Sequence, residues 1–485
     1  MTLHYQMYLG GEWVDALDGA TYNDLSPWTG EVFAQVPAGA RADAARAIEA
    51  AHHAFPAWSH TLFSERRALF LKAADILASR QMEVVQLLAE ETGCTFGFGM
   101  FQTTLTPAML REAASSTSQP LGELIPSDIP GAINAAVRQP VGVIAGIGPW
   151  NAPLILSLRS ICMPIALGNT AVLKPSTESA VVGGVLLAEV FHEAGFPPGV
   201  LNVVTNGPGK SSEIGDEFVE NRIVRRINLT GSTGVGRKLA EAAGRQLKRV
   251  ALELGGQNPM IVLDDADIDA AVDAAVFGAF LHQGQICMST RRIILHKDIA
   301  QEFTEKLVPR VAALKVGNPA EPDTIIGPVI SPAQLQTIVR SVAAAVDAGA
   351  RVLTGGEADG PCYRPTVVAD VRRGTPFDCE ETFGPVVSLI EVDDVDEAIA
   401  VANNTDYGLS SSVFSRDLAK AWLIAERLET GIVHINDQTV GDEPQVPFGG
   451  VKNSGWGRFG GSASIEEFTE LRWISAQLTR RQFPF

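Results

Sequence analysis

From residue 137 onward the chain alternates short apolar strands with helices, and the strands end near glycine, proline or a small polar residue. "VRQPVGVIAGIGPW" reads as a strand, residues 153–167 as a helix stopped by "GN", and "TAVLKPS" as the next strand. Residues 178–195 form a helix closed by "GFPPG", "VLNVVTN" and "VRRINLT" are strands, a helix follows "GSTGVG", and "RVALEL" ends the series. Strands and helices alternating at this spacing predict a parallel, doubly wound sheet, which receives nucleotides at the carboxyl ends of its strands. A second α/β series begins after Gly255–Gly256. It runs through "PMIVLDDADIDAAV", helices near 298–314 and 332–348, and strands at "RVLTGG", "PVVSLIEV", "GLSSSVFS" and "GIVHIN". A domain boundary therefore falls close to 254. Residues 41–120 read mainly as helices, with apolar residues at three- and four-residue spacings and a stop at Gly93. "ELRWISAQL" is a strand with no partner nearby in sequence, so it pairs across a subunit interface or packs on its own domain.

At 485 residues the chain exceeds what one hydrophobic core supports, which implies two or three domains. Its net charge of −18 makes nucleic acid and anionic membranes poor partners. No run of ~18 apolar residues is present to span a membrane. The opening "MTLHYQMYLGGEWVDA" lacks the basic and apolar regions of a secretory signal. The five cysteines are scattered and none forms a CxxC pair, so neither a disulfide framework nor a metal site is signalled and a cytoplasmic location is expected.

Against that background "HQGQICMST" stands out, because it sets Cys287 in a polar loop directly after the apolar helix "AAVDAAVFGAFL". Cysteine is usually a small buried hydrophobe; a polar setting suits a thiol that attacks, provided a base or positive field yields the thiolate. Glu253 closes a strand beside glycines, where partial burial would raise its pKa toward that of a working base. Asn151, in "GPWNAP" at another strand end, has an amide suited to an oxyanion. "GSTGVG" (231–236) opens a helix and either receives a phosphate through its N–H groups and Ser232 or serves only as a turn; its spacing is not GxGxxG. Lys174, in "LKPS", either donates to a ribose or phosphate or snorkels at the surface.

Taken together, "GPWNAP", "LKPS", "TGSTGVG", "LELGG", "GQICMST", "EETFGPV" and "PFGGVKNSG" resemble, in order and spacing, the motifs of the aldehyde dehydrogenase superfamily over essentially the whole chain. The resemblance implies a Rossmann-like doubly wound cofactor domain (1–117 and 141–254), an α/β catalytic domain (255–452) and a small β oligomerisation arm (118–140 and 453–485). It implies that Cys287 is the nucleophile, Glu253 the base that activates the deacylating water, and Asn151, with the Cys287 N–H, the oxyanion hole. It assigns NAD or NADP to Ile147, Trp150, Lys174, Ser176, Thr177, Gly231, Ser232, Thr233, Gly234, Val235, Gly236, Leu254, Gly255, Glu381 and Phe383. Lys174 and Glu381 would contact ribose, Phe383 the nicotinamide, and Gly231–Gly236 the pyrophosphate.

Thr177 stands where strongly NAD-selective members carry glutamate, with Glu178 adjacent, so both cofactors are expected to work. Members that transfer the acyl group to coenzyme A lack the glutamate, so Glu253 favours hydrolysis. The tail motif and the cysteine loop resemble the bacterial members acting on salicylaldehyde, benzaldehyde and vanillin, which implies an aromatic aldehyde substrate met by Arg159, Ile286 and Met288. Arg159 has a second reading, as an ion-pair partner at a domain seam. "CTFGFGMF" (94–101) either lines an aromatic pocket or packs a helix. A homodimer or homotetramer is expected. A cysteine hydrolase would need His282 as its base, but five residues of separation do not aim an imidazole at the thiol.

Overall fold

The structure is a computed structural model that describes residues 3–119 and 121–485; the first two residues of the chain and position 120 of the expected arm lie outside the described residues. Its first sheet has eight strands, with five parallel ones in the order Arg249–Glu253, Val224–Thr230, Val143–Ile147, Thr170–Lys174, Leu201–Val203. The winding reverses between Val143–Ile147 and Val224–Thr230, and that reversal opens a crevice at the carboxyl ends of the strands. Thr170–Lys174 is buried throughout, as a strand covered on both faces must be. The helix Pro153–Ala166 is buried all round, and its chain turns at Gly168 with φ +92°. Helices pack around Phe70, Leu110 and Leu158 on one face and around Ile48, Phe218 and Leu239 on the other.

Three readings change. "VRQPVGVIAGI" is two strands in different sheets, Ala132–Pro140 and Val143–Ile147, because Pro140 and Gly142 (φ +128°) bend the chain between them. The helical stretch that stops at Gly93 divides at Arg80 into Phe63–Ser79 and Gln81–Thr92. The single helix expected over 178–195 is a tight turn at Thr177–Ser179, a wide turn at Val181–Val185 and an α-helix over Leu186–Ala194. There the Glu91 carboxylate accepts the Val181 and Val182 N–H groups at 2.6 and 2.8 Å. The opening residues, without a clear pattern of their own, add a hairpin, Met7–Leu9 and Glu12–Val14, to the edge of the first sheet.

Residues 254–258 carry the chain into a seven-stranded sheet in which Pro259–Val262 lies between Arg292–His296 and Ser410–Phe414, all parallel. Of residues 453–485, Gly455–Trp456 returns to the first sheet beside Leu252 and Glu253. Thr469–Gln477 pairs antiparallel with Ala132–Pro140 of the same chain, so "ELRWISAQL" has its partner more than three hundred residues upstream. Gly122–Ile125 completes this third sheet, and Leu471, Trp473 and Ile474 are exposed on it. Among the described residues no helix is long and apolar enough to cross a membrane, and no His/Cys/Asp/Glu group could hold a metal ion.

Candidate active site

Two adjoining cavities occupy the crevice. One, about 680 Å³, runs along the strand ends and is lined by Ile147, Trp150, Lys174, Ser176, Thr177, Gly231, Ser232 and Val235, with Glu178 and Leu239 among others. The other, about 300 Å³, is lined by Trp150, Asn151, Glu253, Leu254, Gly255, Cys287, Glu381 and Phe383, and shares Trp150, Gly231 and Ser232 with the first. Thus fifteen of the residues singled out in the sequence face one continuous space. Thr233, Gly234 and Gly236 lie behind it in the first turn of the helix Thr233–Arg245. Ser232 caps that helix, accepting from the Val235 N–H at 3.4 Å. Gly236 lets the helix approach the second cavity's wall, since a Cβ there would come 2.6 Å from Leu254.

The thiol is carried by a tightly held loop. After the helix Ile268–Phe280 the backbone takes positive φ at His282, Gln283 and Gly284 (50°, 51°, 65°). Asn258 Nδ2 donates to the carbonyls of Cys287 (2.7 Å) and Ser289 (2.9 Å), and Asn151 Nδ2 donates to Gln285 O at 3.0 Å. One N–H of the Asn151 amide is thereby fixed, and the second is left for another acceptor. Ile286 and Met288 turn into the large apolar core and do not line either cavity. The His282 ring is buried and stacked on Phe98 (centroids 4.7 Å apart, 21° between planes). Burial pushes its pKa down to about 3, which makes it too weak a base to serve a hydrolase.

Three acids crowd the smaller cavity. Burial pushes the Cys287 thiol up to about 12, and Glu381 and Glu253 add to the effect. Glu253 is buried with neither carboxylate oxygen hydrogen-bonded within the protein, and burial holds its pKa well above the usual range against the pull of Arg159 and Arg458. Burial raises Glu381 to about 7, with Arg291 and the Gly256 N–H (3.3 Å) opposing. Gly255 lets the Glu381 carboxylate lie close against the backbone; a Cβ there would push that carboxylate aside. Phe383, at φ +49°, meets Trp150 edge to face at 5.4 Å.

Arg159 takes its ion-pair reading. Its Nη2 donates to Asp442 at 2.5 Å, both side chains being nearly fully buried, and its guanidinium lies 4.3 Å from the Phe448 ring centroid. It lines a separate void of about 20 Å³ and not the cavity of Cys287, which corrects the expectation that it faces that space. Its Nη1 is buried without a hydrogen-bond partner. Asp442, Asn258, Arg291 and Gln334 went unassigned in the sequence: Gln334 lines the smaller cavity, Asn258 and Arg291 hold the Cys287 loop by its carbonyls, and Asp442 pairs with Arg159.

A buried thiol, an unpaired carboxylate and a free amide N–H in one cavity can carry out covalent chemistry on a carbonyl. The adjoining cleft, with a helix N-terminus and a buried lysine, suits an anionic nucleotide. Lys174 supplies the fit: its ammonium is buried, held only by Pro175 O at 2.9 Å, and burial lowers it to about 8. The sequence model of the aldehyde dehydrogenase family matches residues 13–474. The chain belongs to the aldehyde dehydrogenase family. A vanillin dehydrogenase of Pseudomonas fluorescens is 45% identical over 99% of this chain and 100% of its own. A benzaldehyde dehydrogenase [NAD(+)] of Pseudomonas putida is 42% identical, over 99% and 98%. The crystal structure of a salicylaldehyde dehydrogenase from Pseudomonas putida G7, complexed with salicylaldehyde, matches with a TM-score of 0.97 at 42% identity and covers both chains fully. This aldehyde dehydrogenase is accordingly an NAD(P)-dependent oxidoreductase acting on an aldehyde.

Proposed function

We propose that this enzyme oxidises an aromatic aldehyde of about benzaldehyde size to the carboxylic acid, with hydrolytic release. The convergence of Cys287, Glu253 and Asn151 on one cavity that opens into the nucleotide cleft carries the reading. The aromatic substrate class is supported by the relatives named above.

In this reading Glu253 takes the Cys287 thiol proton and passes it to solvent, the Sγ adds to the aldehyde carbon, and the Asn151 amide and Cys287 N–H stabilise the resulting oxyanion. Lys174, Ser176, Thr177, Glu381 and the Gly231–Gly236 turn would hold NAD(P), with Ile147, Trp150, Val235, Leu254, Gly255 and Phe383 forming the walls. When bound, the cofactor supplies the two-electron acceptor that leaves Cys287 bearing a thioester. Glu253 then takes a proton from water, and the water oxygen attacks the thioester carbon, expelling the Cys287 thiolate and releasing the acid. Its unpaired, high-pKa carboxyl suits a group that gains and loses that proton. Ile286 and Met288 set the loop against the core, and Arg159, paired with Asp442, braces the structure behind the cavity. Thr177 neither repels nor binds a 2′-phosphate, so NAD and NADP are both used.

The proposed division of labour has residues 1–117 and 141–254 binding cofactor, 255–452 carrying the nucleophile, and 118–140 with 453–485 joining subunits. Exposed Leu471, Trp473 and Ile474 on the third sheet support a homodimer or homotetramer. Five free cysteines fit a reducing cytoplasm. The test is a ranking by kcat/KM of benzaldehyde, salicylaldehyde and vanillin against short aliphatic aldehydes, with each cofactor and with and without coenzyme A. A preference for the aliphatic aldehydes would overturn the aromatic reading, and a requirement for coenzyme A would overturn hydrolysis.

A further inference from the structure

Arg291, just ahead of the strand Arg292–His296, is 5% exposed, and its hydrogen bonds run to backbone carbonyls. Nη2 donates to Gly284 O, while Nη1 donates to Gly384 O and, at 3.4 Å, to Val386 O. Gly284 precedes Cys287 by three residues on one loop, and Gly384 follows Phe383 on the other. Both loops hold residues in the left-handed region, His282 and Gln283 on the first and Phe383 on the second. Side chains of that kind stay there only where the surroundings over-determine the backbone. The other anchors each serve one loop. Gln283 Nε2 donates to Gly93 O and Pro328 O, and Gln334 Nε2 donates to Thr382 O (3.2 Å) and Phe383 O (3.0 Å). The Arg291 guanidinium grips both.

We propose that Arg291 is a positioning residue that clasps the Cys287 loop to the Glu381–Phe383 loop and so fixes the thiol against the cofactor wall of the cavity. This rests on the functional reading above. A planar guanidinium presents two N–H groups at a fixed angle to two carbonyls, which a lysine ammonium on one stem cannot reproduce. The clasp matters for one half of the chemistry only. Ester hydrolysis at Cys287 needs the thiol, Asn151 and Glu253, whereas aldehyde oxidation also needs the thiol in register with the opposite loop.

Arg291→Lys keeps the charge and loses the fork. With benzaldehyde and saturating NAD its kcat should fall about 10- to 100-fold, the scale of a misplacement near 1 Å. Cofactor-free hydrolysis of p-nitrophenyl acetate, per titrated Cys287 thiol, should change by less than about threefold. Parallel loss in both reactions, or no loss in either, would overturn the clasp. If Arg291→Lys does not fold, Arg291→Gln decides: its single amide can reach one carbonyl but not both, so it should show the same split at about 10-fold or more, and equal losses would overturn the proposal. Wild-type enzyme run alongside separates the two readings, since inability to oxidise any aldehyde counts against the function and not against the clasp.

Discussion

The two halves of the crevice differ in what their walls offer. Along the strand ends stand the N–H groups at the start of Thr233–Arg245, Ser232 and the ammonium groups of Lys174 and Lys238, beside the carboxyl groups of Glu178 and Asp216. Around Cys287 the walls offer acids, with Glu253, Glu381 and the thiol each driven toward its neutral form by burial. The cations of that half, Arg159 and Arg291, are set outside the cavity and tied to Asp442 and to backbone carbonyls. One half thus mixes cations and N–H donors with carboxyl groups, as a nucleotide's phosphates and ribose hydroxyls require, and the other keeps protons until the chemistry moves them.

The contrast breaks most sharply at the thiol. Cys287→Ala should lower aldehyde oxidation and esterase activity by at least about a thousandfold, while the donor half still binds NAD with a Kd within about threefold of wild type. Calorimetric titration alongside turnover checks both, and a parallel loss of NAD binding would mean the halves are not separable. Next comes Glu253→Gln. Steady-state turnover should drop by about 10²- to 10⁴-fold, with a first burst of reduced cofactor and an acyl adduct on Cys287 visible by intact-protein mass spectrometry. Full turnover in this variant would assign water activation to another group.

In the donor half, Thr177→Glu places a carboxylate where a 2′-phosphate would lie. NADP use should fall by about one to two orders of magnitude, at ~1.4 kcal/mol per tenfold, with NAD use retained; unchanged NADP kinetics would move the ribose elsewhere. The smallest effect sits where the halves meet. Glu381 titrates near 7, so it is protonated below that pH and a carboxylate above it. A carboxylate accepts from ribose hydroxyls more strongly than a carboxylic acid does, so NAD affinity should strengthen by about three- to tenfold as pH rises through 7. Glu381→Gln should lose that rise over about pH 6–7.5, below the range in which Lys174 (about 8) titrates; a slope surviving there in the variant would assign the titration to another group.

What the sequence determined by itself is local. A continuous apolar run marked Thr170–Lys174 as a buried strand and placed another within "VRQPVGVIAGIGPW", because a strand covered on both faces must be apolar throughout. Gly93 and Gly168 marked helix ends, because the chain there takes a positive φ that glycine adopts without strain. The polar setting of Cys287 after an apolar helix marked a thiol with work to do. Only the tertiary structure decided what depends on remote segments meeting. It joined Thr469–Gln477 to Ala132–Pro140, gave Arg159 to Asp442, and brought Arg291 between two loops. It also left the Glu253 carboxyl without a partner. Neighbouring residues report whether a position is buried, but which group it faces there is set by how distant elements pack.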